Sequence, residues 1–243
     1  MKPKRSLGQN FFNNLNLAKK IVEITTKSQP QAILEIGPGT GYFTQLFEQN
    51  GLKVVAVEKD FELSTLLYTK HPNATIINDD FLDVDLTQLP IVSGETVCYG
   101  SLPYNSSKKI ISKLLSSEID ITDFFFIIQK EVAQKYSSQE SSLLQITCKL
   151  YANAKSVLDI SPGSFTPKPK VTSTLIHFQR NENLKNVKNV EKFLQLVKDS
   201  FSKPRKMLKN NLSNYEITDL NILKRRPHEV SFEQYVALSN SLE

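Results

Sequence analysis

Cysteine is nearly absent from this 243-residue chain: there are two, Cys98 and Cys148, with no CxxC pair, and only three histidines accompany them. That excludes a disulfide framework and gives no support to a structural zinc site. Glycine and proline are scarce, at 8 and 11 residues, beside 40% hydrophobic residues, which excludes collagen-like and disordered classes. Long apolar runs are missing too. The longest, Phe124 to Ile128, has five residues where a bilayer crossing needs about 20. The N-terminus, MKPKRSLGQN, is basic but has no apolar core of a signal peptide. The expectation is a soluble cytoplasmic protein with one large domain, or one domain and a small appendage, able to bury its own core without staples.

What charge there is sits unevenly. The net charge is +5. Residues 1–12 hold three basic and no acidic residues, residues 183–243 hold 11 against 7, and residues 13–182 hold 16 against 18. Surplus positive charge at both ends of a near-neutral body suits solubility, or a grip on a polyanion.

Along the chain, apolar strand-like runs alternate with helical spacing. Leu17, Ile21 and Ile24 predict a helix stopped by Pro30. Ala32–Ile36 predicts a buried strand, Tyr42–Gln49 a helix, and Lys53–Val57 a second strand ending at Glu58. A helix at 61–69, strands at 74–77 and 96–99, a helix at 108–115, a strand at 124–128 and a helix from Lys130 continue the alternation. The pattern predicts an α/β fold with a parallel sheet covered on both faces. Thr172–Phe178 alternates with period two and predicts an antiparallel edge hairpin. NENLKNVKN, from Asn181, reads as a linker, and residues 183–243 read as a small all-helical domain of three or four helices behind a 1–182 body.

Three constellations carry chemistry. EIGPGTG at 35–41 follows a strand, and Glu58 closes the next, 21 residues after Gly37. Glycines let such a turn approach a nucleoside, and the carboxylate suits a ribose diol. Taken alone this fits a dinucleotide or an S-adenosylmethionine site; an acid two residues before the first glycine, with GxGxG, tilts it to the latter. Asp79 and Asp80 follow the third strand, where Asp80 faces an adenine amine or caps a helix, with Phe81 offering backbone or ring. Ser101-Leu-Pro-Tyr104 follows the fourth strand. A polar side chain, Pro and an aromatic ring suit methyl transfer to an exocyclic amine: acceptors hold its hydrogens while the ring stacks on the extruded base.

At this point the sequence resembles a family, the KsgA-type small-subunit rRNA adenine N6-dimethyltransferases, related to the Erm methyltransferases. SLGQNFF (6–12), EIGPGTG (35–41), VEKD (57–60), DDFL (79–82), SLPYN (101–105), IIQKEVAQKY (127–136) and SFTPKPKVTS (164–173) are all similar to family segments. FSKPRKMLKNNL (201–212) and RRPHEVSFEQYVAL (225–238) resemble the KsgA branch more than the Erm branch. The resemblance implies a Rossmann-like S-adenosylmethionine-dependent methyltransferase sheet with a small helical C-terminal domain. It implies methylation of two adjacent adenines in the 3′-terminal hairpin of small-subunit rRNA, within ribosome assembly, by a monomer.

By that resemblance Gln9, Asn10 and Phe11 border the cofactor, and Gly37, Gly39, Glu58, Lys59, Asp80, Phe81 and Ser101 line its pocket. Ser101, Leu102 and Pro103 form the catalytic loop, while Tyr104 and Phe165 sandwich the target adenine. Phe165 lies near Pro167 and Pro169, which reads as a loop; a stacking ring is one reading and a hydrophobic plug the other. Lys4, Arg5, Lys203, Arg205, Lys206 and Lys209 are expected on RNA phosphates, Arg225 and Arg226 more weakly, and no metal is expected. The chain departs from the family in having Ser101 for the usual Asn, SSKKII after the loop, and a shortened segment at 137–142. The alternatives are an Erm-type large-subunit rRNA methyltransferase, or an assembly factor without chemistry because of Ser101.

Overall fold

The computed structural model describes residues 9–242. After β1 (Phe11–Phe12) and α1 (Leu15–Thr25) come β2 (Ala32–Ile36), α2 (Tyr42–Gln49), β3 (Lys53–Glu58), α3 (Phe61–Lys70) and β4 (Thr75–Asn78). Then follow β5 (Thr96–Ser101), α4 (Ser107–Ser116) and β6 (Asp123–Gln129). β2 to β6 pair in parallel, and β2 is buried at every position, as a strand covered on both faces must be. The apolar runs predict these elements to within a residue or two, because each run ends at a glycine or a polar side chain.

Next come α5 (Lys130–Ser137), α6 (Leu143–Lys149), β7 (Ala152–Ile160), β8 (Phe165–Thr166) and β9 (Ser173–Arg180). The seven-stranded sheet runs β4-β3-β2-β5-β6-β9-β7, with β9 antiparallel to β6. The strand order reverses between β2 and β5, the place where open α/β sheets bind ligands beyond their carboxyl ends. The alternating segment is therefore an inner strand, and β7, which sequence periodicity missed, lies outside it. β1 and β8 form a separate antiparallel pair, Phe11 opposite Thr166 and Phe12 opposite Phe165.

α7 (Val190–Ser200), α8 (Leu208–Asn211), α9 (Leu220–Leu223) and α10 (Phe232–Ser241) complete the chain. The chain divides into two compact units. One comprises the residues up to Ala133 together with Ser156–Gln179; the other comprises Gln134–Lys155 and everything from Arg180. The second unit thus takes in a mid-chain stretch beyond the expected 183–243. Ile146 and Leu150 of that stretch pack with Phe193, Leu196, Leu208 and Tyr235. The first unit has its own core, centred on Ile33, Phe43, Phe47, Tyr99 and Phe125.

One local expectation needs correction, and one segment of the expected all-helical domain is only partly helical. NENLKNVKN is no loose linker: the side-chain amides of Asn181 and Asn183 both donate to the Lys149 carbonyl, at 3.0 and 2.8 Å, and Val187 is buried. FSKPRKMLKNNL is helical only at Leu208–Asn211, and its basic part, Lys203 to Lys206, lies in turns. Pro204 has no amide hydrogen for a helix to use, which favours the turn.

Candidate active site

β2 delivers the chain into Gly37 and Gly39, with φ of +67° and +60°. A Cβ at Gly37 would meet nothing within 4 Å, so the glycine serves the backbone turn and leaves open space beside it. At Gly41 the constraint is close packing, since a Cβ there would stand 2.4 Å from His71 Nε2. At the end of β3, Glu58 accepts from the Gly39 amide at 3.0 Å through one oxygen and from the Asp60 amide at 2.8 Å through the other. Burial pushes its carboxyl up, and those amide bonds oppose the shift. Asp60 in turn caps α3 by accepting from Glu62 N at 3.0 Å, and its second oxygen accepts from Gln9 Nε2 at 3.0 Å.

Asp80 caps no helix. One oxygen accepts from Leu82 N at 3.0 Å within a turn, and the other accepts from Lys59 Nζ at 2.5 Å. That lysine bond, with the Leu82 amide behind it, holds the Asp80 carboxyl below the usual range. At the end of β5, Leu102 N donates to the Ile127 carbonyl at 3.1 Å and the Leu102 side chain is buried. Ser101 is half-buried beside it. The Tyr104 hydroxyl is 2.7 Å from Ser173 Oγ, and burial raises the phenol, which stays neutral.

Phe165 is not in an open loop. It lies in β8, only 4% exposed, with its ring edge-on to Phe12 at 5.2 Å between centroids. The prolines that suggested a loop follow it at 167 and 169, after the β1–β8 pairing is complete. As it stands the ring plugs the wall, the second of the two sequence readings.

The residues expected from the sequence to bind the cofactor or carry the chemistry meet at one cavity of about 350 Å³ at the carboxyl ends of the parallel strands, wholly within the first unit. Gln9, Asn10, Phe11, Gly37, Gly39, Glu58 and Lys59 line it. Asp80, Phe81, Ser101, Leu102, Pro103, Tyr104 and Phe165 line it as well. Sequence reasoning passed over Glu35 as a site residue. It is 2% exposed, lines the same cavity and accepts from Thr44 Oγ1 at 2.6 Å. Burial, and to a lesser degree Glu58 and Glu48, push its carboxyl up to about 8 against the opposing Thr44 bond. A carboxylate inside the apolar run AILEI was the available signal. Among the described residues no cluster of His, Cys, Asp and Glu could hold a metal ion, and no helix is long and apolar enough to cross a membrane.

Lys203, Arg205, Lys206 and Lys209 lie in the second unit, all exposed, and none forms an ion pair among the described residues. Leu208 N donates to the Arg225 carbonyl at 2.8 Å, which sets Arg225 beside this basic turn. Lys4 and Arg5 lie outside the described residues.

The sheet order and a cavity built from strand ends define a Rossmann-like methyltransferase fold, and solved structures agree. The 23S rRNA methyltransferase ErmE superposes with a TM-score of 0.74 at 23% identity, covering 96% of this chain and 99% of that one. A dimethyladenosine transferase from Plasmodium falciparum gives 0.76 at 22% identity, covering 94% and 95%. The chain belongs to the ribosomal RNA adenine dimethylase family, whose model matches residues 1–239. Among curated relatives, Ribosomal RNA small subunit methyltransferase A of Hydrogenobaculum sp. is 33% identical over 100% of this chain and 94% of its own length. The protein of the same name from Francisella tularensis is 34% identical over 88% of this chain and 84% of its own.

Proposed function

We propose that this protein methylates N6 of two adjacent adenines in the 3′-terminal hairpin of small-subunit rRNA, using S-adenosylmethionine. On this reading it works as a cytoplasmic monomer on a precursor of the small ribosomal subunit. The observation that carries the proposal is full-length similarity to small-subunit methyltransferases, joined to a cavity into which SLPYN projects beside the glycine turn. The likeness to ErmE, at 23% identity, speaks for the fold and does not favour the large-subunit reading.

The cavity fits the cofactor. Space is open beside Gly37, and two carboxylates, at Glu58 and Asp80, close adjacent strand ends. S-adenosylmethionine supplies a methyl group on a sulfonium, so the site needs no strong base. Glu58, already fixed by two amides, keeps lone pairs for the ribose hydroxyls. Asp80 accepts from the adenine amine in exchange for Lys59. Ser101 Oγ and a backbone carbonyl of the Leu102-Pro103 segment accept the hydrogens of the target amine and leave its lone pair directed at the methyl group. Tyr104, tied through its hydroxyl to Ser173, offers its ring face to the base and takes no part as a proton acceptor. Phe165 can stack on the other side once its ring turns from Phe12. The exposed cations of the second unit hold phosphates.

The test is methyl transfer from labelled cofactor to ribosomal subunits of a strain that lacks these marks. Label on adenine of small-subunit rRNA is expected. Label on large-subunit rRNA would support the Erm-type reading instead, and no label on either would leave an assembly factor.

A further inference from the structure

The segment that carries Asp80 has no regular structure of its own. It is a run of turns from Asp79 to Val84, closed by Asp83 N and Val84 N donating to the Asp80 carbonyl at 2.8 and 3.2 Å. Three further carbonyls of this loop point away from it toward α4. All three end on one atom. Lys113 Nζ donates to the carbonyl oxygens of Phe81, Leu82 and Val84 at 3.1, 2.8 and 2.6 Å. An ammonium has three N–H groups, so its donor capacity is spent on this loop. The same nitrogen stands 5.8 Å from the centre of the Phe81 ring, and Phe81 and Val84 are buried. α4 begins directly after the SLPYN segment and itself lines the cavity through Lys109 and Ile110. One side chain therefore ties the helix behind the catalytic loop to the loop at the adenine end of the cavity.

We propose that Lys113 is a positioning residue for the cofactor: its three bonds hold the Asp79–Val84 loop in the shape that presents Asp80 to the adenine. The inference rests on the reading that S-adenosylmethionine fills this cavity. Lys113 does not line the cavity, so it acts chiefly through the loop. A surface ion pair would tolerate its loss, but here the bonded partners are not carboxylates; the Lys113 charge adds only a minor pull on Asp80 and Asp85. The partners are uncharged carbonyls, and removing the ammonium leaves three of them without this donor and the loop free to take other turns.

The test compares the parent with Lys113→Met, which keeps the length of the apolar stem and removes the charge. Calorimetric affinity for S-adenosylhomocysteine is expected to fall roughly tenfold or more. In the free protein, amide exchange at residues 81–84 should quicken while that of β2 and β5 stays slow. Kinetically the loss should fall on KM for the cofactor rather than on kcat. Chemical restoration sharpens the assignment: Lys113→Cys treated with 2-bromoethylamine rebuilds an ammonium of nearly native length. Cys98 and Cys148 are buried and do not compete. Recovery of affinity on alkylation supports positioning by the ammonium; no recovery overturns it. Should Lys113→Met fail to fold, Lys113→Arg carries the test. A planar guanidinium cannot direct three bonds from one nitrogen, and several-fold weaker binding is expected. Parent-like affinity in whichever of these two variants folds overturns the inference. A parent protein that binds neither S-adenosylmethionine nor S-adenosylhomocysteine overturns the cofactor reading itself, and the inference with it.

Discussion

The two units place their charges in opposite ways. In the first, Glu58 and Asp60 are buried at a strand end and just beyond it, each fixed by amide or carboxamide donors. In the second, the buried polar residues among those described are Ser200 and Ser239, and Lys203, Arg205, Lys206 and Lys209 are exposed, the last in α8 and the others on turns. Buried carboxylates cost desolvation, which only a rigid frame of donors can offset, and they suit recognition of one small molecule in one pose. Exposed lysines and arginines cost little to keep and act additively on phosphates, where pose matters less. On the proposed function, one chain thus separates selective binding from grip.

The largest effect that would break this comparison is expected at Phe193, fully buried in the second core. Phe193→Ala should cost about 3–5 kcal/mol by urea denaturation, while cofactor affinity in whatever stays folded is unchanged; a parallel loss of affinity would mean the units are not separable. Next is Glu35. Its carboxyl titrates at about 8 in the folded protein against 4.5 ordinarily, so the folded state keeps a proton that the unfolded state releases. Stability should then fall as pH rises from about 4.5 to 8 and level off above, by roughly 5 kcal/mol at most. Glu35→Gln should flatten that decline, measured as urea midpoints at four pH values.

In the second unit, reversing charge at Arg205 and Lys206 should weaken RNA binding and lower the salt slope. With two phosphates released the slope drops by roughly 1.4–1.8 in log K per log salt. Filter binding at several salt concentrations measures this, and an unchanged slope removes the basic turn from the RNA grip. The smallest effect belongs to Ser101. Its hydroxyl is shorter than the family's carboxamide, so the second transfer, from an amine with one hydrogen left, should lag and monomethyladenine accumulate. Ser101→Asn should speed that step and Ser101→Ala slow both, each by about 1 kcal/mol or roughly fivefold in rate. Mass spectrometry of digested rRNA over time decides, with equal time courses for parent and Ser101→Ala removing the hydroxyl from catalysis.

Most of the first unit was legible because its information is local. AILEI, KVVAVE and TVCYG are strands wherever they are read, and the residues that close them sit at the sheet's ligand-binding edge by topology alone. β7 escaped because it is an edge strand: ANAKSVLDI is exposed or half-exposed along most of its length and has no apolar run to announce it. β1 and β8 escaped because two-residue strands exist only through each other, across some 150 residues of chain. The same long-range pairing buries Phe165, which no local pattern could signal. Lys113 was invisible for a related reason, since a lysine on a helix shows nothing of the three carbonyls that turn toward it.

The inner position of β9 has a consequence for synthesis. When the ribosome has made residues up to Ala133, β6 has its β5 neighbour but not the strand that covers its other side. The bare edge carries FFFII, an apolar row with open amides and carbonyls, which is a template for pairing with another chain. It stays bare while residues 134–172 are made, 134–155 of them in the other unit, until β9 emerges and slots in antiparallel. At about 5–20 residues per second that wait lasts seconds. The growing chain is therefore most in need of a chaperone at mid-length, and its catalytic unit is finished only as its second unit is being born.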